Sequence, residues 1–315
     1  MKREKLERLN LYMGIDTVQF KSKSAIQFNP EQFPFVRSDI VRKSDNSWSY
    51  YILNPDKGNN NVSIYNSYDY YRVMNNMLER IGLEEPMKTR IDFRFDSFDS
   101  NYNELLKLNK LLLVLLTTKY RINNRYKSQD LLTEEELTMR IQNKYIEAEN
   151  YNKGLQEPEG DVMNRLELRS KSLNHSICEN DKEFCEFFKW CDRLKKSATA
   201  TNFDLLIRKT NTALKDRYAE WTMKKGHRLS NFIVHYENCI YTMPQLIELI
   251  KILGYDNAEM KAKDYKRRYD IEFFSLKDLE LYTAKIVESG ANFFSLSDIE
   301  RSEKSLFLEN SKIAV

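Results

Sequence analysis

Short runs of alternating apolar and polar residues occupy much of the first half of the chain. This alternation predicts strands, because successive side chains of a strand point to opposite faces. The runs cover residues 14–23, 48–53, 61–66, 90–96, 140–151 and 164–171. Residues 68–81, followed by Gly82, and residues 102–119 carry apolar positions at helical spacing instead. The pattern predicts an α+β fold, in which helices pack on one face of an antiparallel-rich sheet.

Beyond about residue 175 the pattern becomes almost wholly helical, beginning with a predicted helix over residues 183–196. The chain has 315 residues, of which 31% are charged, and only 8 glycines and 6 prolines. This composition favours regular, mostly helical structure on a soluble scaffold. We therefore expect two domains, one covering residues 1–175 and a mostly helical one covering residues 176–315.

A helix-turn-helix-like unit is predicted over residues 242–274. Thr242 can cap its first helix, Gly254 can end that helix, and Asn257 can cap the next one. The second helix has more basic than acidic side chains, the basic ones being Lys261, Lys263, Lys266, Arg267 and Arg268. This charge would meet DNA phosphates, as in a recognition helix. An ordinary solvated helix is the alternative interpretation.

The segment at residues 89–97, Thr-Arg-Ile-Asp-Phe-Arg-Phe-Asp-Ser, separates two kinds of side chain by strand face. One face is apolar and consists of Ile91, Phe93 and Phe95. The opposite, water-facing side carries four charges of alternating sign, which are Arg90, Asp92, Arg94 and Asp96. Carboxylates interleaved with guanidinium groups suit a metal ion and a phosphate ester held together. The alternative is a solvated face with cross-strand ion pairs.

Residues 164–171, Asn-Arg-Leu-Glu-Leu-Arg-Ser-Lys, repeat this design. Leu166 and Leu168 face inward, and the outward residues are Arg165, Glu167, Arg169 and Lys171. The two strands could pair so that Asp92 and Glu167 become neighbours. Facing carboxylates repel unless a proton or a cation lies between them, and Mg²⁺ or Mn²⁺ is the natural occupant. A surface sheet with ladders of salt bridges is the alternative.

A tyrosine ends the extended segment at residues 144–151. Tyr151 is followed by Asn152 and Lys153, and Gly154 comes next. The chain contains 19 tyrosines, so a single tyrosine is by itself no sign of catalysis and is normally a core or surface residue. Its position at the end of a strand and its neighbours distinguish Tyr151 from the others.

Taken in order, the motifs Arg-Ile-Asp-Phe-Arg-Phe-Asp, Tyr-Asn-Lys and Arg-Leu-Glu-Leu-Arg resemble the Rep_trans family. This family comprises rolling-circle replication initiators of small plasmids together with related relaxases of conjugative elements. The resemblance covers about residues 60–172. The chain departs from the family pattern just before the tyrosine, where Glu147, Glu149 and Asn150 replace the usual basic or apolar residue.

The resemblance implies an HUH-like nicking domain in which Tyr151 attacks one DNA strand and forms a 5′-phosphotyrosine link. Asp92 and Glu167, with Asp96, would hold Mg²⁺ or Mn²⁺. Basic side chains would bind the scissile phosphate, the candidates being Arg90, Arg94, Lys153 and Arg169. The implied partners are origin DNA with a hairpin or single-stranded nick site, a second copy of the chain, and a host helicase.

Several other classes of site are disfavoured by the composition. The three histidines, His175, His227 and His235, include no His-hydrophobic-His pair, and no phosphate-binding loop of the Walker type occurs. The four cysteines lack paired metal-ligand spacing. The longest apolar run, residues 111–116, is far shorter than the roughly 20 residues of a membrane span. The charged N-terminus predicts no export, so we expect a cytoplasmic protein.

The sequence thus predicts a metal-dependent enzyme that nicks and rejoins DNA to start replication of a plasmid, phage or mobile element. A net charge of +3 is too small to indicate nucleic-acid binding by itself, so any DNA-binding charge must be local. The alternative from a different class is a non-enzymatic DNA-binding regulator. Its basic C-terminal helices would bind an operator, and its sheet would serve as a dimer scaffold.

Overall fold

The computed structural model describes residues 3–24, 26–41, 48–98, 102–120, 139–151, 153, 164–171, 173, 182–225 and 228–294. Within these segments seven strands form one sheet: β1 (Tyr12–Ser22), β2 (Val36–Val41), β3 (Trp48–Leu53), β4 (Met87–Ser97), β5 (Met139–Gln142), β6 (Ile146–Tyr151) and β7 (Asn164–Ser170). Their order is β2-β3-β1-β4-β7-β6-β5, and each neighbouring pair is antiparallel. The prediction of an α+β fold with an antiparallel sheet is confirmed.

The helices that accompany this sheet are α1 (Arg3–Glu7), α2 (Pro55–Gly58), α3 (Ser67–Ile81), α4 (Tyr102–Tyr120), α5 (Lys182–Ser197), α6 (Ala200–Lys225), α7 (Leu229–His235), α8 (Met243–Ile252), α9 (Ala258–Tyr269) and α10 (Leu276–Phe293). Helix α4 packs on β5, β6 and β7, α5 packs on β4, and α10 packs on β1. Phe187 of α5 lies 6.0 Å from Phe93 and 6.3 Å from Phe95, between ring centroids. The apolar side of β4 therefore faces the helices, as predicted.

Two hydrophobic clusters hold these elements together. The first joins the strands to α3, α4, α5 and α10, and thus takes residues from both sides of residue 175. The second lies within residues 214–271 and includes Leu214, Phe232, Leu249 and Ala262. The expected division into two domains stays a prediction, because packing alone does not test whether either part folds by itself.

The unit predicted over residues 242–274 consists of α8 and α9, which pack against each other. The hydroxyl of Thr242 accepts a hydrogen bond from the backbone N–H of Gln245, as a capping residue does. Gly254 has the left-handed φ of 82° that follows many helix ends. Asn257 occupies the capping position of α9 but makes no side-chain cap bond, because its own backbone is left-handed.

The predicted strands differ from the structure in three places. Residues 61–66 form no strand, since Asn60 and Asn61 have left-handed φ values of 55° and 63° and turn the chain. Strand β2 was not predicted, because Arg37, Ser38 and Asp39 interrupt its apolar pattern. The predicted strand over 140–151 is a hairpin of β5 and β6, with a turn at residues 143–145.

A buried amide cluster joins the helical layer to β6 and β7. The Nδ2 atom of Asn109 on α4 donates to Oδ1 of Asn150 and to Oδ1 of Asn164, at 2.9 Å each. The hydroxyl of Tyr282 on α10 donates to Oδ1 of Asn109 at 2.5 Å. Burial raises the pKa of Tyr282, so this hydroxyl keeps its proton. The four side chains fix α4 and α10 against the end of β6 and the start of β7.

Replacement of Gly290 by alanine should destabilise the fold, although Gly→Ala in an ordinary helix interior stabilises by up to about 1 kcal/mol. A Cβ at Gly290 would lie 2.0 Å from Cζ of Phe187, the ring that covers Phe93 and Phe95. We expect urea unfolding to show a loss of about 1–3 kcal/mol. Asn292→Ala, an exposed change in the same helix, is the control. A Gly290→Ala protein as stable as the wild type would contradict this packing.

Candidate functional site

Charged side chains cross the face of the sheet that is turned away from α4, α5 and α10. We call this group the charged strip; it consists of Asp16, Arg90, Asp92, Arg94, Asp96, Arg140, Glu147, Glu149, Arg165, Glu167, Arg169 and Lys171. The predicted separation of apolar and charged faces is confirmed. The expectation that the charged face meets water is wrong, because Asp92, Arg94, Asp96 and Glu167 are each at most 2% exposed.

Burial of the strip follows from the segment around α2, which folds over it. Arg94 donates to both carboxylate oxygens of Asp56, and its Nη2 lies 3.0 Å from Oδ1. Its Nη2 also reaches the carbonyl of Ile64 at 3.4 Å, and its guanidinium carbon lies 5.3 Å from the ring centroid of Tyr65. Opposite Arg94 on β1 is Gly14, where a Cβ would come within 2.7 Å of Arg94 Nε. Sequence reasoning missed Asp56 and Tyr65, which lie outside the recognised motifs.

The register of β4 and β7 sets each carboxylate against a guanidinium. Asp92 is opposite Arg169, Arg94 is opposite Glu167, and Asp96 is opposite Arg165. The predicted pairing of these two strands is therefore right, but Asp92 and Glu167 are diagonal neighbours and not directly opposed. A shift of two residues preserves the faces of a strand, so the alternation of residues could not define this register. The alternative interpretation, a surface sheet with ladders of salt bridges, is right about the ion pairs between the strands. It is wrong about their position, because the ladder is buried.

Hydrogen bonds saturate the two aspartates of β4. Asp92 accepts from the hydroxyl of Thr17 at 2.6 Å and from Arg90 Nε at 2.7 Å. Asp96 accepts from Arg165 Nε at 2.6 Å and from Arg165 Nη2 at 2.9 Å, a bidentate pair. Charge-assisted bonds of this kind are strong and directional. Both carboxylates are thus held in place by cationic side chains.

Glu149 on β6 is directly opposite Glu167 on β7, which makes two like charges neighbours. Arg169 lies between them, bonded to Glu167 and 3.4 Å from Glu149. Burial raises the pKa of Glu149, and the charge of Glu167 adds to this shift. Burial alone would lower the pKa of Arg169, but Glu167 and Asp92 raise it, so this guanidinium stays charged.

Asp16 joins the same acidic group from β1 and was also missed by sequence reasoning. It lies at an irregularity of the β1–β4 pairing between Ile15 and Thr17, and such bulges redirect a side chain. Its Oδ1 is 3.2 Å from Nη1 of Arg165. Burial raises the pKa of Asp16, and the charge of Glu167 raises it further. The sequence did contain one signal for Asp16, since it is an acidic residue within an otherwise mostly apolar stretch of β1.

The expected metal ligands do not fit a divalent ion in this arrangement. Asp92 and Asp96 each bind an arginine, and Glu167 binds Arg169, so a metal would have to displace guanidinium groups. No group of three or more His, Cys, Asp or Glu side chains that could hold a metal occurs in the described segments. The dependence on Mg²⁺ or Mn²⁺ stays a prediction from the resemblance.

The predicted nucleophile lies at the edge of the strip. The backbone of Tyr151 is opposite Arg165, which is opposite Asp96, which is opposite Tyr12, so one row crosses four strands. The side chain of Tyr151 lies outside the described part of the structure. Lys153 is half-buried, and Arg90 on β4 is 26% exposed at its side chain. The roles predicted for these residues stay predictions.

The basic helix α9 belongs to the second hydrophobic cluster and not to the strip. The side chains of Lys263, Lys266, Arg267 and Arg268 are exposed. Arg267 and Arg268 both contact Asp264, at 3.2 and 3.0 Å, while Lys261 Nζ donates to the carbonyl of Asp256. Helix α9 therefore presents cations to water, as both the DNA-binding and the solvated-helix interpretations require.

No family model and no curated protein matches this chain. Among solved structures, the chain is similar to a rolling circle replication initiator protein from Geobacillus stearothermophilus at 14% sequence identity. The match covers 52% of this chain and 75% of that one, with a TM-score of 0.28. A likeness this weak establishes neither a shared fold nor a shared activity. No helix among the described residues is long and apolar enough to cross a membrane.

Glu147→Gln and Glu149→Gln, a matched pair on β6, should change stability at pH 7 in opposite directions. Because burial raises the pKa of Glu149 above its ordinary 4.5, removal of its charge should raise Tm. Burial also acts to raise the pKa of Glu147, but bonds from Lys171 and Arg169 lower it overall, so Glu147→Gln should lower Tm.

As the pH falls, the Tm difference for Glu149→Gln should shrink first, because the raised pKa lets folded Glu149 take up its proton before the pH reaches 4.5. The Tm difference for Glu147→Gln should persist to pH 4.5 and shrink only below it, because the folded pKa of Glu147 is lowered. Thermal unfolding at pH 7, 5.5 and 4 measures this, with EDTA present throughout. Shifts of the same sign for the two variants at pH 7 would contradict the described pairing of β6.

Proposed function

We propose that this protein nicks and rejoins one strand of DNA through Tyr151, and so initiates replication of a plasmid, phage or mobile element. The observation that carries the proposal is the row that connects residue 151 to Arg165 and Asp96. All three positions fall within the ordered motifs of the family resemblance. The tyrosine motif therefore meets the two charged motifs at one end of one sheet.

In the proposed reaction, the phenolic oxygen of Tyr151 attacks a phosphorus atom of the DNA backbone. A bond forms between this oxygen and phosphorus, and the bond from phosphorus to the 3′ oxygen breaks. The fragment with the new 5′ end then stays linked to the tyrosine through its phosphate, and the other fragment leaves with a free 3′-hydroxyl after its 3′ oxygen takes up a proton. Rejoining reverses these steps and needs no ATP, because the phosphodiester energy is kept in the covalent link.

The phenol needs a proton acceptor, since its ordinary pKa is near 10. Glu149 lies two residues before Tyr151 on β6, and burial raises its pKa toward the range in which a carboxylate accepts a proton more readily. Asp16 has its pKa raised in the same way, by burial and by Glu167. We assign Glu149 the role of proton acceptor because it shares a strand with Tyr151.

The scissile phosphate needs positive charge, and the strip offers it from guanidinium groups that are partly open to water. Arg90 and Arg169 are 26% and 15% exposed at their side chains, whereas Arg94 is fully buried between Asp56 and Asp96. Arginine donates two parallel bonds to phosphate oxygens and stabilises the charge that develops on them. Arg90, Arg169 and Lys153 are therefore the proposed phosphate ligands, and Arg94 supports them from within.

Helix α9 is the proposed double-stranded DNA contact, with a second copy of the chain and a host helicase as proposed partners. Its exposed basic side chains also support the second candidate function, a DNA-binding regulator without catalysis. The two functions differ in one product, because only the enzyme leaves protein covalently attached to a nicked strand.

The variant Tyr151→Phe should bind DNA and fold as the wild type does, but it should lose nicking, because only the attacking oxygen is removed. The assay incubates the protein with supercoiled DNA of its own replicon and counts nicked circles and covalent adducts. Tyr145→Phe, on the turn between β5 and β6, is the matched control and should nick normally.

Full nicking by Tyr151→Phe would overturn the assignment of the nucleophile. Adducts absent from the wild type as well would favour the regulator. The same assay with EDTA decides between two expectations. The family resemblance implies that nicking stops and returns with Mg²⁺ or Mn²⁺, whereas the arginine-paired carboxylates imply that nicking continues undiminished.

A triple replacement on α9, Lys263→Ala with Lys266→Ala and Arg267→Ala, should weaken binding of the duplex origin. The slope of log affinity against log salt should flatten by about one unit for each phosphate that the variant no longer binds. Cleavage of a short single strand that carries the nick site should stay near the wild-type rate, because it needs no duplex binding. An unchanged salt slope would show that α9 is only solvated.

A further inference from the structure

Three aromatic side chains form a cluster at one end of the charged strip, which we call the aromatic platform: Tyr12 on β1, Tyr65 before α3, and Phe98 after β4. The ring centroids of Tyr12 and Phe98 are 5.1 Å apart, and Tyr65 lies 5.7 and 6.2 Å from them. Tyr12 and Phe98 each remain 41% exposed. Rings that only sealed the strip from water would be buried more completely.

The position of the platform relates it to residue 151. Tyr12 begins the row that continues through Asp96 and Arg165 to residue 151. Three strand spacings of about 4.8 Å place β1 roughly 14 Å from β6. At the rise of about 3.4 Å per nucleotide in stacked DNA, this distance corresponds to about four nucleotides. A single strand bound at residue 151 is therefore long enough to reach the platform, whose exposed rings lie at the end of this buried row.

The platform is also held rigidly, through its contacts with the strip. The hydroxyl of Tyr65 donates to Oδ2 of Asp96 at 3.0 Å, and the guanidinium of Arg94 lies over the Tyr65 ring. Burial raises the pKa of Tyr65 to about 12, so this hydroxyl stays protonated and keeps donating. Because Arg94 and Asp96 are themselves buried and paired, the ring of Tyr65 is fixed before any ligand binds. A rigid aromatic surface loses little conformational entropy when a ring stacks on it.

We infer that the aromatic platform stacks the bases of single-stranded DNA beside the nick site. This inference rests on the proposed function, which brings single-stranded DNA to residue 151. Unpaired bases expose flat π-faces that stack on aromatic side chains, whereas the bases of a duplex are already stacked on one another. Tyr12 and Phe98 supply the stacking surface, and Tyr65 positions them.

The test measures binding of a fluorescein-labelled, 20-nucleotide thymidine strand by anisotropy at fixed salt. Tyr12→Leu and Phe98→Leu keep apolar bulk but remove the ring, and each should weaken binding roughly tenfold. Tyr12→Phe and Phe98→Tyr keep the ring and should retain wild-type affinity, which separates stacking from a folding defect. Tyr145→Leu removes another exposed aromatic side chain, on the turn between β5 and β6, and should change nothing.

A strand of the same length without bases completes the experiment. The leucine variants should bind this abasic strand as well as the wild type does, because the substitutions remove only the surface on which bases stack. Equal binding of the thymidine strand by all variants would overturn the platform and leave the nicking proposal intact. Equally weakened binding of the thymidine and abasic strands would also overturn it, since the rings would then act only on the fold.

Failure of the proposed function gives a different result. The wild-type protein could bind single strands through the platform and yet form no covalent adduct with DNA. That result would support the platform and contradict the proposed nicking activity. Wild-type protein with no affinity for the thymidine strand would overturn the platform directly, and Tyr151→Phe in the nicking assay would still decide the function.

Discussion

The buried guanidinium of Arg94 is the constraint on which the charged face depends. A charge with no access to water is costly unless nearly all of its donors are paired, and here Asp56, Asp96 and the carbonyl of Ile64 pair it. Gly14 supplies the room for it on β1. Removal of one partner from such a network costs about 3–5 kcal/mol, because the opposite charge remains buried. Arg94 therefore holds the α2 segment, which is too short to be stable alone, on the sheet.

The negative charges of the strip are not all equally well paired with positive ones. Toward β4 each aspartate has an arginine bonded to it, and those pairs give a rigid base. Toward β6 and β1, Glu167 has acidic neighbours on both sides, Glu149 and Asp16, and the pKa of each neighbour is raised. Glu149 and Asp16 therefore take up a proton more readily than an ordinary carboxylate, and they flank the arginine-paired aspartates of β4 from either side. The proposed chemistry uses this difference, with the arginines of β4 and β7 as phosphate ligands and Glu149 of β6 as proton acceptor.

The elements of the site were predictable, but their arrangement was not. Alternation over residues 90–96 and 164–171 defines β4 and β7 and their charged faces, because strand periodicity is a local property. The opposition of Glu149 to Glu167 depends on register, which a two-residue shift would alter without changing the faces. Burial of the strip depends on Asp56 and Tyr65, which lie about 30 or more residues before their partners on β4 and have no local signal. The position of Asp16 in the strip depends on an irregular strand pairing, which no periodic pattern can predict.

The amide cluster of Asn109, Asn150 and Asn164 has a consequence for how the chain can vary in length. Asn150 and Asn164 immediately precede Tyr151 and Arg165, and one helix residue bonds to both asparagines. A slip of β6 by one residue would remove Asn150 from Asn109 and leave buried amides unpaired. The helix therefore sets which residue of β6 lies beside Arg165. Insertions or deletions after Lys153 and before β7 would therefore leave residue 151 aligned with Arg165, because the amide bonds and not the length of the connection set the register.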